Sequence, residues 1–257
     1  MSERRHEEHE RYCAAVEDEV GRFVELVSGA DPTTVVPTCP GWTIADLMKH
    51  HGTTYRWQDE IVRRRLQERI WSRDVPLGLP DDAADYPAWV ATGAKSLLGT
   101  LRATDPETRV WTPFGTGDRV RFWPRRVLFE AVIHRADAEI ALGRTPHIDP
   151  AIAADGIEEL LTIIPGARWV VERFGEFDRP GATLHLHAID SAGEWLITTR
   201  SDGLTWARGH GTADVAVRGV AGDLLLMVYG RLRVPDARLT VFGDHELLTS
   251  WLEKAAL

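Results

Sequence analysis

The sequence predicts an α+β protein: a four-helix bundle followed by a smaller α+β layer. Up to Gly143, apolar residues recur every three or four positions, the period of an amphipathic helix. After Gly181 the period drops to two, as in half-buried strands. The 257 residues suffice for one large domain or two modest ones. With 44% hydrophobic and 27% charged residues, the composition is that of a globular chain and excludes global disorder or a collagen-like fold.

Each element has its own signal. Tyr12, Val16, Val20, Phe23 and Val27 share one face of a first helix. Asp31-Pro32 to Pro37 breaks that pattern, and Cys39-Pro40-Gly41-Trp42 reads as a turn. Thr43 and Asp46 form a capping-box pattern that starts a second helix, carrying Ile44, Leu47, Trp57 and Ile61 to about Arg65. A loop rich in Asp and Pro spans Asp74 to Asp85. Tyr86, Val90, Ala94, Leu97 and Leu101 mark a third helix. A fourth begins near Trp123-Pro124 and ends at Leu142-Gly143, with Gly just past the C-terminus. Such a set suggests a four-helix bundle. A further helix is expected over Pro150 to Ile164. Strands are expected at Ala182–Ile189, Trp195–Thr199, Leu204–Ala207, Val215–Val217 and Leu239–Phe242, with helices at Asp223–Tyr229 and His245–Ala255.

Composition narrows the function. The formal charge of −9 lacks the basic footprint of a nucleic-acid binder. Two cysteines, Cys13 and Cys39, cannot build a disulfide framework or a four-thiolate zinc site, which argues against a secreted scaffold. No apolar run is long enough for a transmembrane helix, and the charged N-terminus is not followed by a signal-peptide core. The expectation is a cytoplasmic protein with no membrane or nucleic-acid partner.

The fourth helix holds an oddity. Val127, Ala131, His134, Ala138 and Ala141 form an apolar stripe, and Glu130 stacks with His134 at i and i+4. A carboxylate facing a core must be paired, protonated or bound to a cation. A surface Glu–His pair is the bland alternative. On the second helix, His50 and His51 point about 100° apart, and periodicity does not say which faces inward. One of them with Glu130 and His134 would give three ligands from two helices. That set leaves an open fourth position, the pattern of catalytic zinc. His6 and His9 read as solvated, and His147, His210 and His245 as surface. His185 and His187 share one strand face and could pair a metal, but a half-exposed strand face is the favoured reading. Cys39 reads as a buried thiol. Arg119, Arg121, Arg125 and Arg126 read as a solvated charge run.

Two stretches add a resemblance. Residues from Val36-Pro-Thr-Cys-Pro-Gly-Trp42 to His50 resemble the N-terminal signature of the mycothiol-dependent maleylpyruvate isomerase family, within the DinB-like metalloproteins. Arg126 to Gly143, containing Glu130, His134 and Asp137, resembles its second signature. Ala213–Gly219, Asp223-Leu-Leu-Leu and Gly230-Arg231 resemble its C-terminal domain. The resemblance implies a DinB-like metal-binding bundle over 1–148 and an α+β, sterol-carrier-like domain over 149–257, with the boundary somewhere in 143–180. It implies a divalent metal, usually zinc, held by His50, Glu130 and His134, where His50 is chosen over His51 by its place in the signature. It also implies mycothiol as co-substrate, a small-molecule electrophile, and a catalytic role for Arg231 toward a substrate carboxylate. The expected activity is thiol attack by an isomerase or S-transferase. The competing expectations are a non-catalytic small-ligand-binding protein with a structural metal, and a metal-dependent hydrolase.

Overall fold

The computed structural model describes residues 2–115 and 117–256. They fall into two compact units, Met1–Pro146 and His147–Leu257. The fold is α+β.

The first unit is built on α1 (Ser2–Val27), α2 (Ile44–Arg63), α3 (Tyr86–Ala103) and α4 (Phe122–Ala141). Helix α1 packs on α3 and α4, and α2 packs on the same two helices. Val16, Val20, Phe23 and Val27 of α1 are buried, as their spacing requires, together with Ile44, Leu47 and Ile61 of α2 and Val90, Leu97 and Leu101 of α3. The start of α2 is fixed by the expected capping box: Asp46 N donates to Thr43 Oγ1, and Thr43 N donates to Asp46 Oδ2. At the end of α4, Gly143 takes φ +71°, a conformation open to Gly at little cost. Close approach of α2 and α3 rests on Gly52, where an added Cβ would lie 1.9 Å from the Trp89 ring.

Helix α4 departs from the one-sided stripe read from its sequence. Trp123 to Ala138 is buried on nearly every side, while Ala141, placed on the stripe, is half-buried. With burial on nearly every side, charged residues on this helix also lie inside. Arg135 is 3% exposed and donates to Glu19 of α1 at 2.6 Å, with Glu139 at 2.8 Å on its other side.

The second unit opens with α5 (Pro150–Ile163), capped by the Asp149 side chain, and continues through α6 (Arg168–Gly175). Helix α6 has no counterpart in the sequence reading; it is only eight residues long and bounded by a 3-10 turn at Ile164–Gly166. Strands β1 (Thr183–Ala188), β2 (Glu194–Arg200), β3 (Gly203–Arg208), β4 (Val215–Gly219) and β5 (Thr240–Gly243) form one sheet of order β3-β2-β1-β4-β5. The β1–β4 pair is parallel and the others are antiparallel. Helix α7 (Ala221–Val228) follows β4, and α8 (His245–Ala255) ends the unit. The register places Leu184, Leu186, Trp195, Ile197, Val215 and Val217 on one face, all buried. Helices α5 and α7 pack together there, and Trp195 Nε1 donates to Glu158 of α5. His185, His187, Glu194 and Leu196 occupy the opposite face.

Candidate metal centre

The Cys39-Pro40-Gly41-Trp42 turn precedes α2 and is closed by Trp42 N donating to Cys39 O at 3.0 Å. Gly41 adopts φ +83° there. The turn does two things: it sets Trp42 against the imidazoles, and it brings Thr38 and Cys39 to α4.

Two turns into α2, His50 meets Glu130 and His134 of α4. Its Nε2 lies 3.6 Å from Glu130 Oε2, and His134 Nε2 lies 3.4 Å from the same oxygen. One ligand atom from each residue falls within 4.8 Å of the others. His50 Nε2 is buried and has no hydrogen-bond partner. An orphaned imidazole nitrogen beside a carboxylate oxygen and a second imidazole is what a divalent cation would satisfy, and the two-nitrogen, one-oxygen donor set suits zinc. His51 packs into the bundle, with its ring 5.2 Å from that of His134 and its own Nε2 also buried without a hydrogen-bond partner. It is 1% exposed, its ring is 4.4 Å from that of Phe23 on α1, and its Nδ1 lies 2.8 Å from the Tyr55 hydroxyl. The two adjacent histidines thus have different surroundings.

The residues around the three organise them. Asp137, fully buried, sits one turn beyond His134 and receives its Nδ1 at 2.8 Å. The same carboxylate accepts from Thr38 Oγ1 at 2.5 Å and Cys39 Sγ at 3.3 Å. A carboxylate on the far nitrogen of a histidine fixes its tautomer and aims the other nitrogen. Here that aims His134 Nε2 at Glu130. Arg126, 3% exposed, binds Glu130 Oε1, so Oε2 is the oxygen turned toward the histidines. Burial opposes ionisation of Glu130, but the Arg126 charge and the imidazoles of His134 and His50 outweigh it and hold its pKa well below the usual range. Burial likewise opposes protonation of His134, yet Asp137, Cys39 and Glu130 hold its pKa well above the ordinary value. His51 is driven the opposite way, first by burial and then by the neighbouring His134 and His50, and stays neutral.

A pocket of about 660 Å³ opens beside His50. Trp42, Lys49, Trp57, Arg69 and Trp71 line it. The Trp42 ring stands 5.1 Å from that of His50 and 6.1 Å from that of His134. Trp57 is held by its indole donating to Ile70 O and by edge contacts to Trp111 and Trp123.

His50, Glu130 and His134 are therefore brought together. Arg231 lies in the other unit, in the turn after α7, half-buried, with its guanidinium donating to Tyr229 O at 2.7 Å. Two readings need correction. Arg126 is not part of a solvated charge run: Arg119 and Arg121 pair with Glu107 near the surface, but Arg126 is inside and serves Glu130. Its spacing of four from Glu130 was the available signal. His9 is not solvated either; it is buried, with Nε2 2.9 Å from Leu101 O. Asp137 was legible as a residue of the second signature but had no assigned task. The pocket cations Lys49 and Arg69 carried no signal.

The fold and site define a class: a helical bundle that presents a His–Glu–His set from two facing helices, joined to a mixed-sheet unit. The model for the mycothiol maleylpyruvate isomerase N-terminal domain matches residues 13–139, and that for the MDMPI C-terminal domain matches residues 151–250. The chain belongs to the mycothiol-dependent maleylpyruvate isomerase family. Among solved structures, it is similar to a histidine-to-alanine variant of the mycothiol-dependent maleylpyruvate isomerase, with TM-score 0.61 and 14% identity, over 91% of this chain and 92% of that one. The unsubstituted isomerase gives 0.58 and 15% over the same shares. At that identity these likenesses establish the shared fold. No curated protein matches. Among the described residues, no helix is long and apolar enough to cross a membrane.

Proposed function

We propose that this chain is a metal- and mycothiol-dependent enzyme that activates a thiol for attack on a small electrophile, as an isomerase of the maleylpyruvate type. The observation that carries this reading is the convergence of His50, Glu130 and His134, with His50 Nε2 buried and unpartnered. These three residues would hold a divalent cation of the zinc type. When bound, such a cation supplies a position at which a thiol, with an ordinary pKa near 8.5, is kept as the thiolate.

The chain's own residues supply the rest. Asp137 orients His134, and Arg126 occupies Glu130 Oε1 so that Oε2 is presented to the site. Trp42 walls the imidazoles on the pocket side. Lys49 and Arg69 give the pocket two cations suited to an anionic or polyhydroxylated substrate. Isomerisation of this type adds sulfur to one carbon of a conjugated cis double bond, lets the resulting single bond rotate, and expels the sulfur again, with no net redox change. Arg231 is assigned the substrate carboxylate, on the resemblance of its Gly230-Arg231 motif. A bidentate guanidinium fork suits that task.

The test combines metal analysis with turnover. The purified chain should carry metal lost in His50→Ala and Glu130→Gln, and it should isomerise a cis-enone diacid only with mycothiol present. Retention of metal by both variants, or thiol-independent turnover, refutes the reading.

A further inference from the structure

A second group of metal-ligating side chains lies on the sheet of the C-terminal unit. His185 and His187 project from one face of β1. Glu194 of β2 is the register partner of His187, so it stands on the same face. The segment after β3 then adds His210, held near by Gly209 N donating to Glu194 O at 3.1 Å. One ligand atom from each of the four falls within 4.8 Å of the others.

The spacing is specific. Glu194 Oε2 lies 2.9 Å from His210 Nδ1 and 3.4 Å from His185 Nε2, while Oε1 lies 3.1 Å from His187 Nδ1. A tetrahedral ion with bonds near 2.0–2.1 Å sets its ligand atoms about 3.3–3.4 Å apart. The imidazole rings of His185 and His210 are 5.1 Å apart and edge-on, so their nitrogens converge without stacking. The second observation is His185 itself: it is 5% exposed, and its Nε2 is buried without a hydrogen-bond partner. Near Glu194, with no proton well shared, that nitrogen pays a desolvation cost that a cation would remove. Arg218, in register with His187 on β4, is the neighbouring positive charge on this face, and it is exposed.

We propose that His185, His187, Glu194 and His210 form a second divalent-cation site, separate from the centre in the helical unit. Three imidazoles and a carboxylate select a borderline transition cation such as zinc over magnesium or calcium. Four protein ligands close a tetrahedral shell, which makes the site structural. It ties β1, β2 and the segment after β3 together at one end of the sheet.

The test is zinc titration of the metal-stripped full-length chain against a chromophoric chelator, with cobalt spectra as a second readout. His210 is 76% exposed in its side chain, so His210→Ala leaves folding intact, and Glu194→Gln provides an independent variant. The expected stoichiometry is two equivalents for the wild type and one for each of His210→Ala, Glu194→Gln and His50→Ala. The double variant His50→Ala/His210→Ala should take none. If His50→Ala changes nothing and His210→Ala removes an equivalent, this site stands and the assignment of the helical centre fails. If no equivalent depends on His210 and Glu194, the proposal is overturned.

Discussion

Asp137→Asn is the sharpest test of how the helical centre is organised. The substitution keeps the shape of a side chain that is 0% exposed but removes its charge. Three donors converge on that carboxylate: Thr38 Oγ1 at 2.5 Å, His134 Nδ1 at 2.8 Å and Cys39 Sγ at 3.3 Å. An amide accepts through one oxygen only and turns its own N–H bonds toward a donor. His134 then loses the partner that fixes its tautomer and aims Nε2. Loss of such a carboxylate typically costs about 10–100-fold in metal affinity, or about 1.4–2.7 kcal/mol. Leaving a buried donor unmatched adds about 1–3 kcal/mol of instability. Affinity is read by competition with a chromophoric chelator, and folding by circular dichroism. Thr38→Val is the control: it removes one contact to Asp137 and leaves the imidazole contact, so its loss of affinity should be much smaller. A folded Asp137→Asn chain that binds metal as tightly as the wild type would refute the positioning role.

Three further outcomes follow from the packing and charges. Glu19→Ala takes one of two carboxylates from the buried Arg135 guanidinium, with Glu139 remaining, and should cost about 1–3 kcal/mol in denaturant unfolding, whereas the double change Glu19→Leu/Arg135→Met should recover part of it. Gly52→Ala drives a methyl into the Trp89 ring and should cost about 1–3 kcal/mol without altering metal stoichiometry. His9 has its pKa lowered, mainly by burial, so the folded state resists its protonation. Its contribution is therefore complete above about pH 6.5 and is lost as pH falls below that value. Melting temperatures of His9→Gln should fall less steeply than wild type between about pH 7.5 and 5.5, and identical slopes would contradict this.

Much of the fold was legible because its signals are local. The capping box at Thr43 and Asp46, the periodicity of α1 and α3, and the alternation in β1 each act over a few residues. Helix α4 is harder: a helix buried on nearly all sides has no apolar stripe to read, so a one-sided pattern misses its all-round burial and sends Arg126 to solvent. Of the centre, Glu130 and His134 declare themselves by spacing, but the choice of His50 over His51 rests on the family signature. In the structure the two differ in their surroundings, His51 packing against Phe23 and Tyr55. Tasks that depend on distant partners left no local mark: Asp137 meets Thr38 from ninety-nine residues away, and Arg69 and Trp71 reach the pocket from an irregular loop. The abundance of tryptophan gains part of an explanation, since Trp42, Trp57 and Trp71 line that pocket and Trp123 supports one of them.

The central claim, that a cation held by His50, Glu130 and His134 serves thiol-dependent isomerisation, is tested most directly by one measurement. It is the rate of maleylpyruvate cis–trans isomerisation with mycothiol, before chelation, after chelation and after zinc is restored, in wild type and His50→Ala. The expected result is turnover that disappears on chelation and returns with zinc in the wild type, and is absent throughout in His50→Ala. Turnover that survives chelation, or that His50→Ala retains, would contradict it.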